Sequence, residues 1–425
     1  MIKVITYGTY DLLHYGHIRL LKRAKALGDY LVVGITSDSF DKTRGKINVQ
    51  QSLMERIESV KATGLADEIV VEEYEGQKID DIKRLNIDIF TVGSDWRGYF
   101  DYLNEYCKVI YLERTEGISS SEIRTEKRKL VIGTLGGKNL CNKFIQEMQY
   151  VNGVEYKECK NGSFDGVDAV YIATHPQKHY EDVKAALNAG KHVICESPVA
   201  TTKKQCEELF SLARDKKLTL SDAVKTAYST AYSRLLAASK SGKIGDIISV
   251  DTVCTSLGDG AGNENADLTV KQNSICAWGP VAMLPVFQLL GTDYKAKTIT
   301  TKLLNKELQY DGFTKIDFLF DKAVASVKIA KAAKSEGEMI ITGTKGYIYV
   351  PAPWWKTDYF EIRYENASEN KRYFYQLDGE GIRYEIVAFA KAVETGKSDF
   401  YVEEKTSVEI CKVIEDFYNN NITVF

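Results

Sequence analysis

The chain has 425 residues, 44% of them hydrophobic and 27% charged, with a formal net charge of -3. That length exceeds one ordinary core and calls for two or three domains of ordinary soluble composition. The near-neutral charge, without a sustained basic face, argues against nucleic acid or an anionic membrane surface as a partner, and no apolar run is long enough for a membrane span.

Met1-Ile2-Lys3-Val4-Ile5-Thr6-Tyr7 lacks the apolar core of a signal peptide and instead opens a strand, Lys3 to Tyr7. A helix from about His17 to Leu27 stops at Gly28. Tyr30 to Thr36 (strand), Ser52 to Thr63 (helix), Glu68 to Val71 (strand), Gln77 to Leu85 (helix), Asp88 to Val92 (strand) and Lys108 to Leu112 (strand) follow. Such alternation predicts a parallel sheet covered on both faces. The charged run 124–129 then precedes a new strand at Leu130 to Ile132, which places a domain boundary there. Strand, glycines and helix resume and alternate to about Ala223. Beyond Gly245, longer strands such as Ile247 to Thr255, Ala296 to Leu303, Thr314 to Phe320, Ala323 to Ala330 and Gly346 to Val350 predict one open, mainly antiparallel sheet. Helices from about Gly381 to Thr395 and Glu404 to Asn419 close the chain. The expected domains are therefore 1–129, 130–223 and 224–425, all α/β. The eight cysteines form no CxxC pair and read as buried small hydrophobes of a reducing compartment, hence a cytoplasmic protein.

Two segments of the first domain carry chemistry. In Tyr7-Gly8-Thr9-Tyr10-Asp11-Leu12-Leu13-His14-Tyr15-Gly16-His17 a strand runs through a loop into a helix start. Free backbone N–H groups and the positive end of the helix dipole suit nucleotide phosphates there. His14 and His17 add donors for charge developing on an α-phosphate, and Gly16 permits close backbone approach. Two solvent-facing or satisfied histidines would be the bland alternative. A zinc pair lacks a third ligand at metal spacing, so no metal site is expected. The second segment, Arg114-Thr115-Glu116-Gly117-Ile118-Ser119-Ser120-Ser121, supplies an arginine, backbone donors and hydroxyls able to grip a triphosphate.

With the GSDW of Gly93 to Trp96, these segments closely resemble the bacterial glycerol-3-phosphate cytidylyltransferases of teichoic acid synthesis, over residues 1 to about 127. The resemblance implies an HxGH nucleotidyltransferase fold and transfer of CMP from CTP, with Mg²⁺, to glycerol 3-phosphate. It implies catalytic roles for His14, His17, Arg114 and Lys46. It places Gly8, Thr9, Tyr10, Asp11, Gly16, Arg44, Asp95, Trp96, Thr115, Gly117, Ile118, Ser119 and Ser120 at the nucleotide, and suggests a homodimer or higher homo-oligomer. Asp38 is a loop carboxylate of less defined role. An adenylyltransferase, or transfer to another polyol phosphate, is the alternative.

From Asp168, the text DAVYIATHPQKHYEDVKAALNAGKHVICESPVA, with the later GTKGYI and GEGIRYE, resembles the Gfo/Idh/MocA oxidoreductases, dihydrodiol-dehydrogenase branch, over about 130–420. A Rossmann-like half followed by an open-sheet half is implied, with NAD(P) as cofactor. Gly133, Gly136, Thr174, His175, His179, Glu196 and Ser197 mark the implied ligand site. Four departures stand against oxidoreductase chemistry. The glycine loop Gly133-Thr134-Leu135-Gly136-Gly137 departs from G-x-G-x-x-G. Strand two, about Val154 to Cys159, reaches the next strand too soon for a helical crossover, and leaves Glu158 as the ribose carboxylate. The family lysine is Ser197, and a catalytic His or Tyr falls at Val281. Hydride transfer to a carbonyl needs a proton donor, for which Lys225, His175 or His179 would have to substitute. Lys225 reads more readily as a surface charge, and Trp354 and Trp355 as packing. A degenerate domain kept for assembly or ligand binding is preferred over an active polyol- or sugar-phosphate dehydrogenase.

Overall fold

The computed structural model describes the chain except 44–48, 75, 114–128, 152, 160–162, 258–267, 269–270, 376, 378 and 397–399. It divides into two compact units, Met1–Lys129 and Leu130–Phe425.

Five parallel strands form the first unit: β1 (Lys3–Gly8), β2 (Tyr30–Thr36), β3 (Glu68–Glu72), β4 (Ile89–Gly93) and β5 (Lys108–Leu112), in the order β3-β2-β1-β4-β5. Their near-continuous apolar runs bury on both faces, as helix-covered parallel strands must. Val4, Leu31, Val33 and Val60 pack on one face with Leu21 and Ala24, while Ile5, Val32, Ile82 and Phe90 pack on the other. Four helices cover them: α1 (Tyr15–Lys25), α2 (Asp38–Thr43), α3 (Leu53–Ala62) and α4 (Gln77–Leu85). Helix α3 starts on a capping box, Ser52 with Glu55, worth about 1 kcal/mol. Helix α1 starts two residues before the expected His17 because the His14 side chain caps it. The six-residue α2 went unforeseen, since one short turn carries no apolar period. Strand order reverses between β1 and β4, which puts the ligand crevice of such sheets at their carboxyl ends.

The second unit begins with another parallel sheet, order β10-β9-β8-β6-β7. Its strands are β6 (Leu130–Gly136), β7 (Val154–Tyr156), β8 (Ala169–Ala173), β9 (His192–Glu196) and β10 (Leu220–Ala223). Helices α5 (Lys138–Met148), α6 (Pro176–Asn188) and α7 (Lys203–Asp215) lie between them. Strand β7 is shorter than expected, and 157–168 returns to β8 with no helix among its described residues. Cys159, Phe164 and Val167 of that return join the core, and a Cβ on Gly133 would meet Cys159 Sγ at 2.3 Å.

Helix α8 (Thr230–Lys240) leads into a nine-stranded sheet, order β18-β17-β16-β15-β11-β14-β13-β12-β19. The strands are β11 (Ile247–Thr255), β12 (Ala296–Asn305), β13 (Tyr310–Leu319), β14 (Val324–Ala330), β15 (Met339–Gly343), β16 (Tyr347–Val350), β17 (Tyr359–Arg363), β18 (Lys371–Phe374) and β19 (Thr423–Val424). All neighbours pair antiparallel except β11 with β14 and β12 with β19. Helices α9 (Ser274–Leu290), α10 (Ile382–Thr395) and α11 (Glu404–Tyr418) complete the unit. Among the described residues, no helix is long and apolar enough to cross a membrane.

Candidate active site

The loop after β1 is held in a demanding conformation. Tyr10 and Leu12 have φ of 54° and 48°, left-handed values that side-chain-bearing residues keep only when the surroundings impose them. The Tyr10 ring is buried in the space that a Cβ on Gly8 would need, 2.9 Å away. Asp11 accepts from the backbone N–H groups of Gln50 (3.1 Å) and Gln51 (2.9 Å), while the Gln51 side chain accepts from Leu12 N–H at 2.8 Å. Asp11, expected at the nucleotide, thus ties its loop to the approach of α3.

Beneath the loop lies a buried ionic network that sequence reasoning missed. Arg56 and Asp41 are both fully buried. Arg56 donates to the carbonyls of Thr9 (2.8 Å), Thr36 (2.9 Å) and Gln51 (3.2 Å), and also to Asp38 and Asp41. Asp41 accepts from the hydroxyls of Thr9 and Thr36, each at 2.9 Å. A guanidinium can satisfy this many carbonyls and carboxylates at once, whereas a lysine cannot. In the sequence Arg56 sits in an ordinary charged helix start; only its place between two apolar faces, one turn after Ser52, hints at burial.

This scaffold delivers the histidines. The His14 and His17 rings stack with centroids 3.8 Å apart and planes 23° apart, and Tyr10 meets His17 edge-on at 5.5 Å. His14 Nδ1 accepts from Gly16 N–H at 3.1 Å. In the neutral ring, therefore, Nε2 carries the proton and is the donor. Asp95 and Trp96 form a short turn directly after β4, the strand beside β1, so their strand ends adjoin the histidine loop. Trp96 is 36% exposed and packs against Tyr99 and Phe100. Arg44, Lys46, Arg114, Thr115, Gly117, Ile118, Ser119 and Ser120 lie outside the described residues.

In the second unit the expected residues sit at the carboxyl ends of β6, β8 and β9, but several face inward. Gly136 has φ 132°, and a Cβ there would strike the Ala173 carbonyl carbon at 2.2 Å. Its role is close strand packing, and the next N–H, of Gly137, donates to Ala173 O at 2.9 Å. Thr174 donates to Asp182, and His175 caps α6. His179, expected beside a nicotinamide, is fully buried with Nδ1 2.8 Å from Pro198 O and Nε2 3.0 Å from Thr174 O. Burial lowers its pKa while the two carbonyls oppose that, so its role is to tie the turn after β9 to the end of β8. Glu196 accepts from the Tyr171 hydroxyl, and burial raises its pKa. The buried Ser197 hydroxyl faces Asp222, near enough to temper its pKa yet outside hydrogen-bond geometry. Glu158 is exposed beyond the three-residue β7. Among the described residues, those expected here do not fit hydride transfer at a carbonyl: the position expected to hold a lysine carries a serine whose hydroxyl is buried, and Glu158 is exposed with no brace. Lys225 departs from expectation, being part-buried and ion-paired with Glu380 at 2.6 Å. Trp354 is fully buried and donates to Val253 O, as packing predicts.

Family models match residues 5–126 as cytidylyltransferase-like and 131–223 as an oxidoreductase family with an NAD-binding Rossmann fold. A glycerol-3-phosphate cytidylyltransferase of Bacillus spizizenii is 48% identical over 130 residues, covering 31% of this chain and 100% of that protein. One from Staphylococcus aureus is 47% identical, covering 30% and 95%. The solved 3-ketoreductase KijD10 of Actinomadura kijaniata, in complex with NADP and TDP-benzene, superposes with TM-score 0.61 at 17% identity. It covers 70% of this chain and 100% of that one, and shows the fold of the second unit.

Proposed function

In its first unit this chain belongs to the glycerol-3-phosphate cytidylyltransferase family, and we propose that it transfers CMP from CTP to glycerol 3-phosphate, releasing pyrophosphate. The stacked His14–His17 pair at the start of α1 is the observation that supports this most. The acceptor is a phosphate monoester whose second pKa is about 6, so it is largely dianionic near neutrality and needs no general base. Its oxygen attacks the α-phosphorus, the bond to the β-phosphate breaks, and pyrophosphate leaves in line. The protein's task is alignment and charge neutralisation. His14 through Nε2–H, and His17 beside it, stabilise charge on the α-phosphate as electrostatic donors. Trp96 stacks the cytosine and Asp95 reads the nucleoside. Arg114, Lys46 and Arg44, with Thr115, Ser119, Ser120 and the backbone of Gly117 and Ile118, grip the remaining phosphates. Mg²⁺ enters as part of the CTP substrate.

His17→Ala should lower kcat about 10²–10³-fold with little change in KM for CTP. Turnover that survives with only KM altered would refute the assignment. A panel of acceptors in a pyrophosphate-release assay separates glycerol 3-phosphate from other polyol phosphates. Within the cell, the product would supply a cell-surface polymer of teichoic acid or capsule type, made by a cytoplasmic homo-oligomer. For the second unit we favour a ligand-binding or assembly role, on the inward-facing Ser197 and His179. The likeness to NADP-bound ketoreductases supports the dehydrogenase alternative, and a titration of NADPH fluorescence decides between them.

A further inference from the structure

Three separate segments of the second unit converge on one carboxylate carried by a fourth. Lys143 of α5 and Lys225, just after β10, reach Glu380 Oε2 at 2.5 and 2.6 Å, and Lys356, after β16, reaches Oε1 at 2.7 Å. All four side chains are partly exposed, at 38%, 32%, 37% and 27% respectively. The Glu380 backbone is forced into place. Gly379, Glu380 and Gly381 have φ of 56°, 54° and 95°, three left-handed residues in succession. A Cβ on Gly381 would lie 2.2 Å from the Lys225 carbonyl oxygen, and one on Gly379 2.2 Å from the Glu147 carboxylate. Arg383 pairs with Glu147 at 2.5 Å, pinning the same loop to α5 one turn further on.

One carboxylate is in direct contact with three ammonium groups, and two of them share a single oxygen. The Glu196 carboxyl also feels Lys225 and Lys143, at longer range. Close by, Glu385 is buried with Oε1 making no hydrogen bond; burial holds its pKa well above the usual carboxylate range, with Lys225 opposing. A buried polar atom without a partner signals a missing one. A phosphate monoester answers both features: it carries up to two negative charges and three acceptor oxygens for three ammonium groups. A hydroxyl on its organic part, which both donates and accepts, supplies the partner that Glu385 Oε1 lacks.

We propose that Lys143, Lys225 and Lys356 form a binding site for the phosphate of a hydroxyl-bearing phosphate monoester, and that Glu380 occupies this site in the ligand-free chain as an internal substitute for the phosphate. The site is distinct from the transfer site of the first unit. It stands whether or not the second unit binds a dinucleotide.

The test uses the full chain carrying Trp96→Phe, so that all remaining tryptophans, 278, 354 and 355, lie in the second unit. Tryptophan emission is titrated with inorganic phosphate, glycerol 3-phosphate and glycerol. Both phosphates should give a saturable change and glycerol none, with glycerol 3-phosphate binding more tightly than inorganic phosphate. Glu380→Gln, which removes the internal competitor, should tighten binding about tenfold, and Lys356→Met should weaken it about tenfold. CMP transfer, measured separately on chains retaining Trp96, should be unchanged by Lys356→Met, so failure here is distinguishable from failure of the transferase reading. No saturable response to either phosphate overturns the proposal, as does a Glu380→Gln chain that binds no better. Should Glu380→Gln fail to fold, unchanged affinity in Lys356→Met overturns it alone.

Discussion

Arg56→Met is the sharpest test of how the transfer site is built. The substitution keeps the apolar stem and removes a fully buried guanidinium that donates to Thr9, Thr36 and Gln51 carbonyls and to Asp38 and Asp41. Asp41 keeps its two threonine hydroxyls but loses its bond to Arg56 while still buried. Breaking such a pair from one side costs about 3–5 kcal/mol. The loss falls on the loop in which Tyr10 and Leu12 are held left-handed, so the loop relaxes and the histidines move with it. A displacement on the order of 1 Å at reacting groups costs about a hundredfold in rate. Chemical unfolding of the first unit should therefore show the stability loss, and pyrophosphate release from CTP and glycerol 3-phosphate should fall about a hundredfold at saturating substrate. Arg56→Lys should be intermediate, since a point charge replaces only part of the fork. Coupling to Asp41→Asn in a double-mutant cycle should exceed about 1 kcal/mol. A folded Arg56→Met chain whose kcat stays within about threefold would refute the account, because less than 1 kcal/mol would then depend on the network.

Three further outcomes are expected. Trp96→Ala should raise KM for CTP about tenfold through lost base stacking while kcat changes little; a fall in kcat alone would move Trp96 out of the base pocket. Burial pushes Asp222 up to about 6 from the usual 3.8, so the stability its protonated form contributes is complete below pH 3.8 and lost as pH rises through 6. Asp222→Asn should accordingly stabilise the second unit by up to about 3 kcal/mol at pH 7.5 and by almost nothing near pH 4; a difference flat across pH would contradict this. Gly136→Ala should destabilise the second unit by at least about 2 kcal/mol, since its Cβ meets backbone and its φ is 132°, while CMP transfer by the first unit persists. An unaltered melting profile would show that the β6–β8 approach relaxes freely.

Expectation and structure parted at particular residues. That His14 and His17 meet at the opening of α1 was legible because it depends on local order: two histidines three apart at a strand-to-helix turn come together where that turn forms. The Asp11 contact to the backbone of Gln50 and Gln51 was not, because it is made by a segment 39 residues away. His179 carries a family-like position in sequence, yet its two carbonyl partners lie on different strand ends. Lys225 looked like an ordinary surface lysine until Glu380, 155 residues downstream, met it.

By itself the sequence determined the parallel sheets and the HxGH turn, since period, caps and glycine punctuation are local properties of the chain. Only the tertiary structure decided which charges are buried together. Arg56 with Asp41 in the first unit, and three lysines on Glu380 in the second, are each assembled from segments the fold alone makes neighbours. The physical reason is common to both. The sequence specifies which groups carry charge, but the energy of a charge depends on its burial and on the partners within a few ångströms, and those exist only once the chain has closed.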